Sequence, residues 1–177
     1  MLKLTENTRF YKYLQLKMIA EFNEQPIVDM PIRLKFRRKN LPASIWDIKF
    51  SQFIQALNCL DSIPEYLQQI TNVNKNNWNR SKIKVVLPLY SFYRDDMLKI
   101  LNVFKQATDQ APKAPVTVKD MQEFGLTTIV DMVADSKLID YGKIYNMSVA
   151  EVQNKYRMMI WNSMNLDAQQ KYYAKNS

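Results

Sequence analysis

The chain has 177 residues, 47% of them hydrophobic and 24% charged, with a net charge of +8 at neutral pH. That length and apolar content suit one globular domain, or a domain with an appendage, rather than a disordered or fibrous chain. There is no histidine, one cysteine and only two glycines, which excludes Ser-His-Asp and Cys-His catalysis, argues against a zinc site, and leaves no glycine-rich loop for a nucleotide phosphate.

Thr5 or Asn7 is placed to cap a first helix that carries Phe10, Leu14, Met18 and Phe22 on one side and ends at Pro26. The period then changes to two. Val28, Met30, Ile32, Leu34 and Phe36 alternate with Asp29, Arg33, Lys35 and Arg37, the pattern of a half-buried strand with one basic face. Arg33, Lys35, Arg37, Arg38 and Lys39 form the densest cluster of positive charge. Such a face suits a phosphate backbone, an acidic protein partner, or simply water.

Pro42 stops the strand. Ser44 and Asp47 signal a helix through Ile48, Phe53, Ile54, Leu57 and Leu60, and Ser62, Pro64 and Glu65 signal a short third one. Cys59 lies among apolar residues at helical spacing and reads as a small core residue. Asn72 to Asn79 reads as a polar bridge holding Trp78, a core or interface anchor with a base-stacking role as the alternative.

Arg80 to Tyr93 is ambiguous, with Val85 and Val86 favouring a strand and the reading leaning to helix, while Arg94 to Ala107 is a clearer helix. Asp95 and Asp96 are the nearest approach to a carboxylate pair. Adjacent helical residues diverge by about 100°, so they are expected to be first-turn acids of that helix rather than catalysts.

Thr108 to Val116, with two prolines, is expected to be an extended connector between an N-terminal lobe, residues 1–107, and a helical C-terminal lobe, residues 117–177. Thr117 and Asp120 open a helix with Met121, Phe124, Ile129, Met132 and Val133 facing inward. The most legible stretch follows, Asp140 to Trp161. Ser148 and Glu151 have capping-box spacing, Met147 and Val152 can staple across the turn, and Val149, Val152, Tyr156, Met159 and Ile160 form one buried stripe. Methionines near the C-terminus, Met158, Met159 and Met164, read as core at this spacing. Asp167 is expected to cap a short last helix, AQQKYYAK, with exposed tyrosines. Trp78, Tyr156, Trp161, Tyr172 and Tyr173 are the candidate interface aromatics.

No heptad run or internal repeat stands out, and the longest apolar run, Val85 to Tyr90, is far too short to span a membrane. The N-terminal MLKLTENTRFYKYLQ lacks the apolar core of a secretory leader. The expected fold is mainly α, a helical bundle with a minor β-strand or hairpin near residues 27–38, with no catalytic residues, cofactor or metal.

The segment MPIRLKFRRKNLPASIWDIKFSQFIQAL, a strand and then a capped helix, resembles the tail-assembly chaperones and related small proteins of tailed bacteriophages. GKIYNMSVAEVQNKYRMMIWNSM is similar to the helix, short turn and helix with which such proteins end. The resemblance implies a non-enzymatic structural or assembly protein, a ring, connector, adaptor or tail component, found in the virion or in host cytoplasm during assembly. It implies homo-oligomers and other phage structural proteins as partners, with non-specific DNA contact and no membrane. A basic nucleic-acid-binding module using Arg33 to Lys39 is the alternative.

Overall fold

The computed structural model describes residues 7–19, 34–36, 38–111, 125–134 and 137–176. The protein is mainly α with one small antiparallel hairpin. It divides into two compact units: the first comprises Met1–Ile48 and Gln52–Met97, the second Lys49–Ser51 and Leu98–Ser177.

The first unit begins with α1 (Phe10–Ile19), whose Phe10 is fully buried. Its first turn is pinned to a later segment by backbone bonds from Phe10 N–H to the Ser81 carbonyl and from Ile83 N–H to the Thr8 carbonyl. Of the expected strand only the end is described, as a hairpin of β1 (Lys35–Phe36) and β2 (Lys39–Asn40), with Lys35 opposite Asn40 and Phe36 opposite Lys39. Thr5, Phe22, Pro26 and the expected strand residues Val28 to Ile32 lie outside the described residues.

The start signal at Ser44 is real but yields a single 3-10 turn, Ile45–Asp47, and a fresh start at α2 (Phe50–Leu57). Ser44 Oγ accepts from Trp46 N–H at 3.2 Å. Cys59 follows α2 in a turn and is only half-buried, so it is not a core residue. In α3 (Ile63–Thr71), Pro64 occupies the first turn, where its missing N–H costs nothing.

The Asn72–Asn79 bridge contains a short helix, α4 (Lys75–Asn79). Asn72 ends α3 in the left-handed region (φ 54°) and Asn74 caps α4 by accepting from Asn76 N–H at 2.9 Å. Asparagine tolerates both roles, so a polar run becomes a stop followed by a start. Trp78 is thereby delivered into the core, fully buried against Phe36, with ring centroids 4.3 Å apart.

The two elements expected between Arg80 and Ala107 are one helix, α5 (Ile83–Gln110), which runs through Pro88 and crosses from the first unit into the second. Burial explains why the proline is tolerated: Val86, Pro88 and Leu89 all face the core of the first unit, so packing offsets the local defect.

In the second unit, α6 (Leu126–Val133) packs on α7 (Leu138–Asn146) and α8 (Val149–Asn176). Gly125 precedes α6 with φ 48°, a conformation that a side chain would resist. Of the expected inward residues Ile129 is buried and Met132 and Val133 are half-buried; Thr117 to Phe124 and residues 112–116 of the connector lie outside the described residues. Phe50 enters this core, where it meets Phe104 edge-on, and its N–H donates to the Met147 carbonyl at 2.8 Å. α8 does not stop at Asn165. Asp167 lies inside it and pairs with Lys171 at 2.7 Å instead of capping a separate helix.

Candidate functional site

Asp95 and Asp96 are not first-turn acids, because α5 begins twelve residues before Asp95, at Ile83. Asp95 is exposed. Asp96 Oδ2 accepts from Ser44 Oγ at 2.6 Å and from the N–H of buried Ile45 at 2.8 Å. A mid-helix carboxylate thus completes the cap of a 3-10 turn far away in sequence, a fixed structural task. Nearby, the Tyr93 hydroxyl donates to the Pro42 carbonyl at 2.7 Å, and burial pushes the Tyr93 and Tyr66 phenols above the usual tyrosine range. Among the described residues no group of three or more Cys, Asp or Glu side chains is arranged to hold a metal ion.

The basic cluster is described in part, since Arg33 and Arg37 fall outside the described residues. Lys35 and Arg38 are exposed on the hairpin. Lys39 Nζ donates to the Asn72 carbonyl at 3.0 Å, so this lysine ties the hairpin to the end of α3. A shallow depression of about 590 Å³ in the same unit is lined by Arg9, Tyr11, Gln15, Asn76, Asn79 and Arg80, with no carboxylate among its lining residues.

The candidate aromatics separate into two groups. Trp78 is core, not an interface anchor, and its buried indole N–H has no hydrogen-bond partner among the described residues. Tyr156 is also core, with its ring 6.2 Å from that of Phe104 and its hydroxyl 2.9 Å from Thr108 Oγ1. Trp161, Tyr172 and Tyr173 are 64%, 65% and 68% exposed.

The cause is the geometry of α8. Its start is fixed by the expected capping box: Glu151 Oε2 accepts from Ser148 N–H at 2.8 Å, and Glu151 N–H donates to Ser148 Oγ at 3.2 Å. Those contacts hold the Glu151 carboxyl below the usual glutamate range, the Ser148 backbone bond first and its hydroxyl second. Val149, Val152, Tyr156 and Ile160 then bury one stripe, with Met159 half-buried beside it. Beyond Ile160 the helix continues for 16 residues through Asn176, and no described side chain past that point is buried. At 100° per residue, Met158, Trp161, Asn165 and Tyr172 lie within about 60° of one another, on nearly the opposite side from the buried stripe. Met158 is 66% exposed, and Met164 and Leu166 are exposed as well, so neither Met158 nor Met164 is the core residue its spacing suggested. Met158 therefore joins Trp161 and Tyr172 on an outer face, whereas Leu166 lies about 80–140° around the helix from them and lines a depression with Met159 and Ile160. A second apolar phase along the helix was the signal for that outer face, masked by the stronger stripe beside it.

No protein-family model, curated protein or solved structure matches this chain. Among the described residues no helix is long and apolar enough to cross a membrane.

Proposed function

We propose that the protein is a non-enzymatic structural or assembly component of a tailed bacteriophage, a ring, adaptor or tail part that works by packing helices against neighbouring subunits. The phage assignment rests on the resemblance described above. The observation that carries the mode of action is the exposed C-terminal half of α8, where Met158, Trp161 and Tyr172 share one side, Leu166 and Tyr173 lie around from it, and all five are more than half exposed. Scattered apolar side chains are normal on a surface, but large exposed ones recurring along one side of a single regular element mark a candidate site of contact.

A second reading, a basic nucleic-acid-binding module, draws on exposed Lys35 and Arg38 and on the depression between Arg9 and Arg80. The two separate by light scattering of the purified protein, alone and with duplex DNA at low and moderate salt. The assembly reading expects a defined oligomer, or growth in mass with concentration, that is indifferent to DNA. A monomer that gains mass only on DNA and releases it steeply as salt rises, as counterion release requires, would replace the first reading with the second.

A further inference from the structure

We infer that the partner of the α8 outer face is a second copy of the same helix, arranged in parallel as a short two-stranded coiled coil over residues 158–172. This deepens the assembly reading and rests on it. Counting from Met158, the first and fourth places of successive heptads are Met158 and Trp161, Asn165 and Ala168, then Tyr172. That is the spacing of a coiled-coil seam, two heptads long and so too short to stand out as a heptad run, and it continues the side of α8 that faces away from buried Val149, Val152, Tyr156 and Ile160.

Two features choose a copy of the chain, and a parallel one. Asn165 sits at a first heptad place in the middle of the seam. In a parallel pair it meets the other copy's Asn165, and two amides satisfy each other across the interface, the device by which one buried asparagine selects two strands and fixes their register. In an antiparallel pair it would face Trp161 or Ala168, according to register, and neither can both donate to and accept from its amide. Charge agrees. A parallel pair flanks the seam with Arg157 opposite Asn162 and Met164 opposite Gln169. The antiparallel register that sets Asn165 against Trp161 also brings Arg157 beside Lys171, like charge against like. The five seam places themselves carry no charge, and Lys171, which flanks them, is paired with Asp167 at 2.7 Å.

The area is sufficient for a specific but modest association. An aromatic side chain presents about 150–250 Å², so two-thirds exposure of Trp161 and Tyr172, together with exposed Met158, Asn165 and Ala168, offers on the order of 600 Å² per copy. The pair buries roughly 1,200 Å², the lower end of specific interfaces, so the dimer should depend on concentration.

The test is sedimentation equilibrium of the full chain over a wide concentration range, beside Trp161→Glu and a Cys59→Ser, Asn154→Cys double variant. Trp161 is exposed, so the charge should leave far-UV circular dichroism unchanged while raising the dissociation constant by about 30-fold or more, as loss of a central tryptophan does. Asn154 extends the seam by one place towards the N-terminus. Parallel pairing brings the two introduced thiols together, and mild oxidation should give a covalent dimer. Antiparallel pairing keeps them about 35 Å apart. A monomer at every concentration overturns the proposal, as does a dimer without the disulfide. An oligomer untouched by Trp161→Glu overturns the seam but leaves the assembly reading standing, whereas a monomer that binds DNA removes both.

Discussion

Asp96 carries more of the fold than its neighbour, and the difference is one of direction. Its carboxylate holds the Ser44 hydroxyl and the Ile45 N–H at once, across 52 and 51 positions of sequence. Hydrogen bonds to a charged acceptor contribute about 1.5–3 kcal/mol, and the Ile45 N–H belongs to a buried residue. Asp96→Ala should therefore destabilise the protein by about 2–3 kcal/mol, read from the urea midpoint, while Asp96→Asn, which keeps one carbonyl acceptor, should lose about half as much. A loss for Asp96→Ala within about 0.5 kcal/mol, the range of an ordinary surface substitution, would show that the contact carries nothing. Sequence could not reveal this partner. A pair of acids near the start of an apolar period satisfies the helix dipole equally well, and local spacing does not register a partner fifty residues away. Trp78 could be read as a core or interface anchor, but not which of the two, for the same reason: its neighbours in sequence are polar, and the Phe36 ring that covers it comes from another element.

At the scale of elements, what could be read was whatever is decided within four residues. The Ser148–Glu151 box needs only its own turn to form, and it stands where the spacing put it. Its pH dependence follows from the lowered Glu151 carboxyl. The fold favours the charged form, so the stabilisation is complete above the usual glutamate range and disappears as pH falls through the lowered value. Amide protection in the first turn of α8 should therefore drop on acidification, whereas Glu151→Gln, which keeps a capping side chain with no titrating group, should be flat over that window. An unchanged acid profile in Glu151→Gln would assign the loss to other carboxylates. Elements whose limits depend on tertiary packing were read less well. α5 continues through Pro88 because its buried side compensates for the missing donor, and α8 continues past Asn165 although no described residue beyond Ile160 is buried.

For the whole molecule, a charge of +8 without histidine gives a surface whose sign is constant across the physiological range. Reversing Arg33, Lys35, Arg37 and Arg38 to glutamate, and leaving Lys39 to hold the Asn72 carbonyl, should leave the urea midpoint within about 0.5 kcal/mol of the parent. The same variant should fail to assemble with its neighbours; normal assembly would show that this face is only a solvated surface. The mainly α class was legible because hydrophobic period is summed over many residues, while the placing of Lys49–Ser51 with the second unit was not, since it follows contacts rather than composition. The short stretch Lys49–Ser51 belongs with residues far downstream: Lys49 Nζ reaches Asn146 Oδ1 at 3.0 Å across 97 positions, and Phe50 is fully buried in the same unit. A ribosome adding about 5–20 residues per second emits Phe50 roughly 5–20 seconds before the turn that will receive it. During synthesis that ring is an exposed liability, and a product truncated ahead of α7 would keep it so.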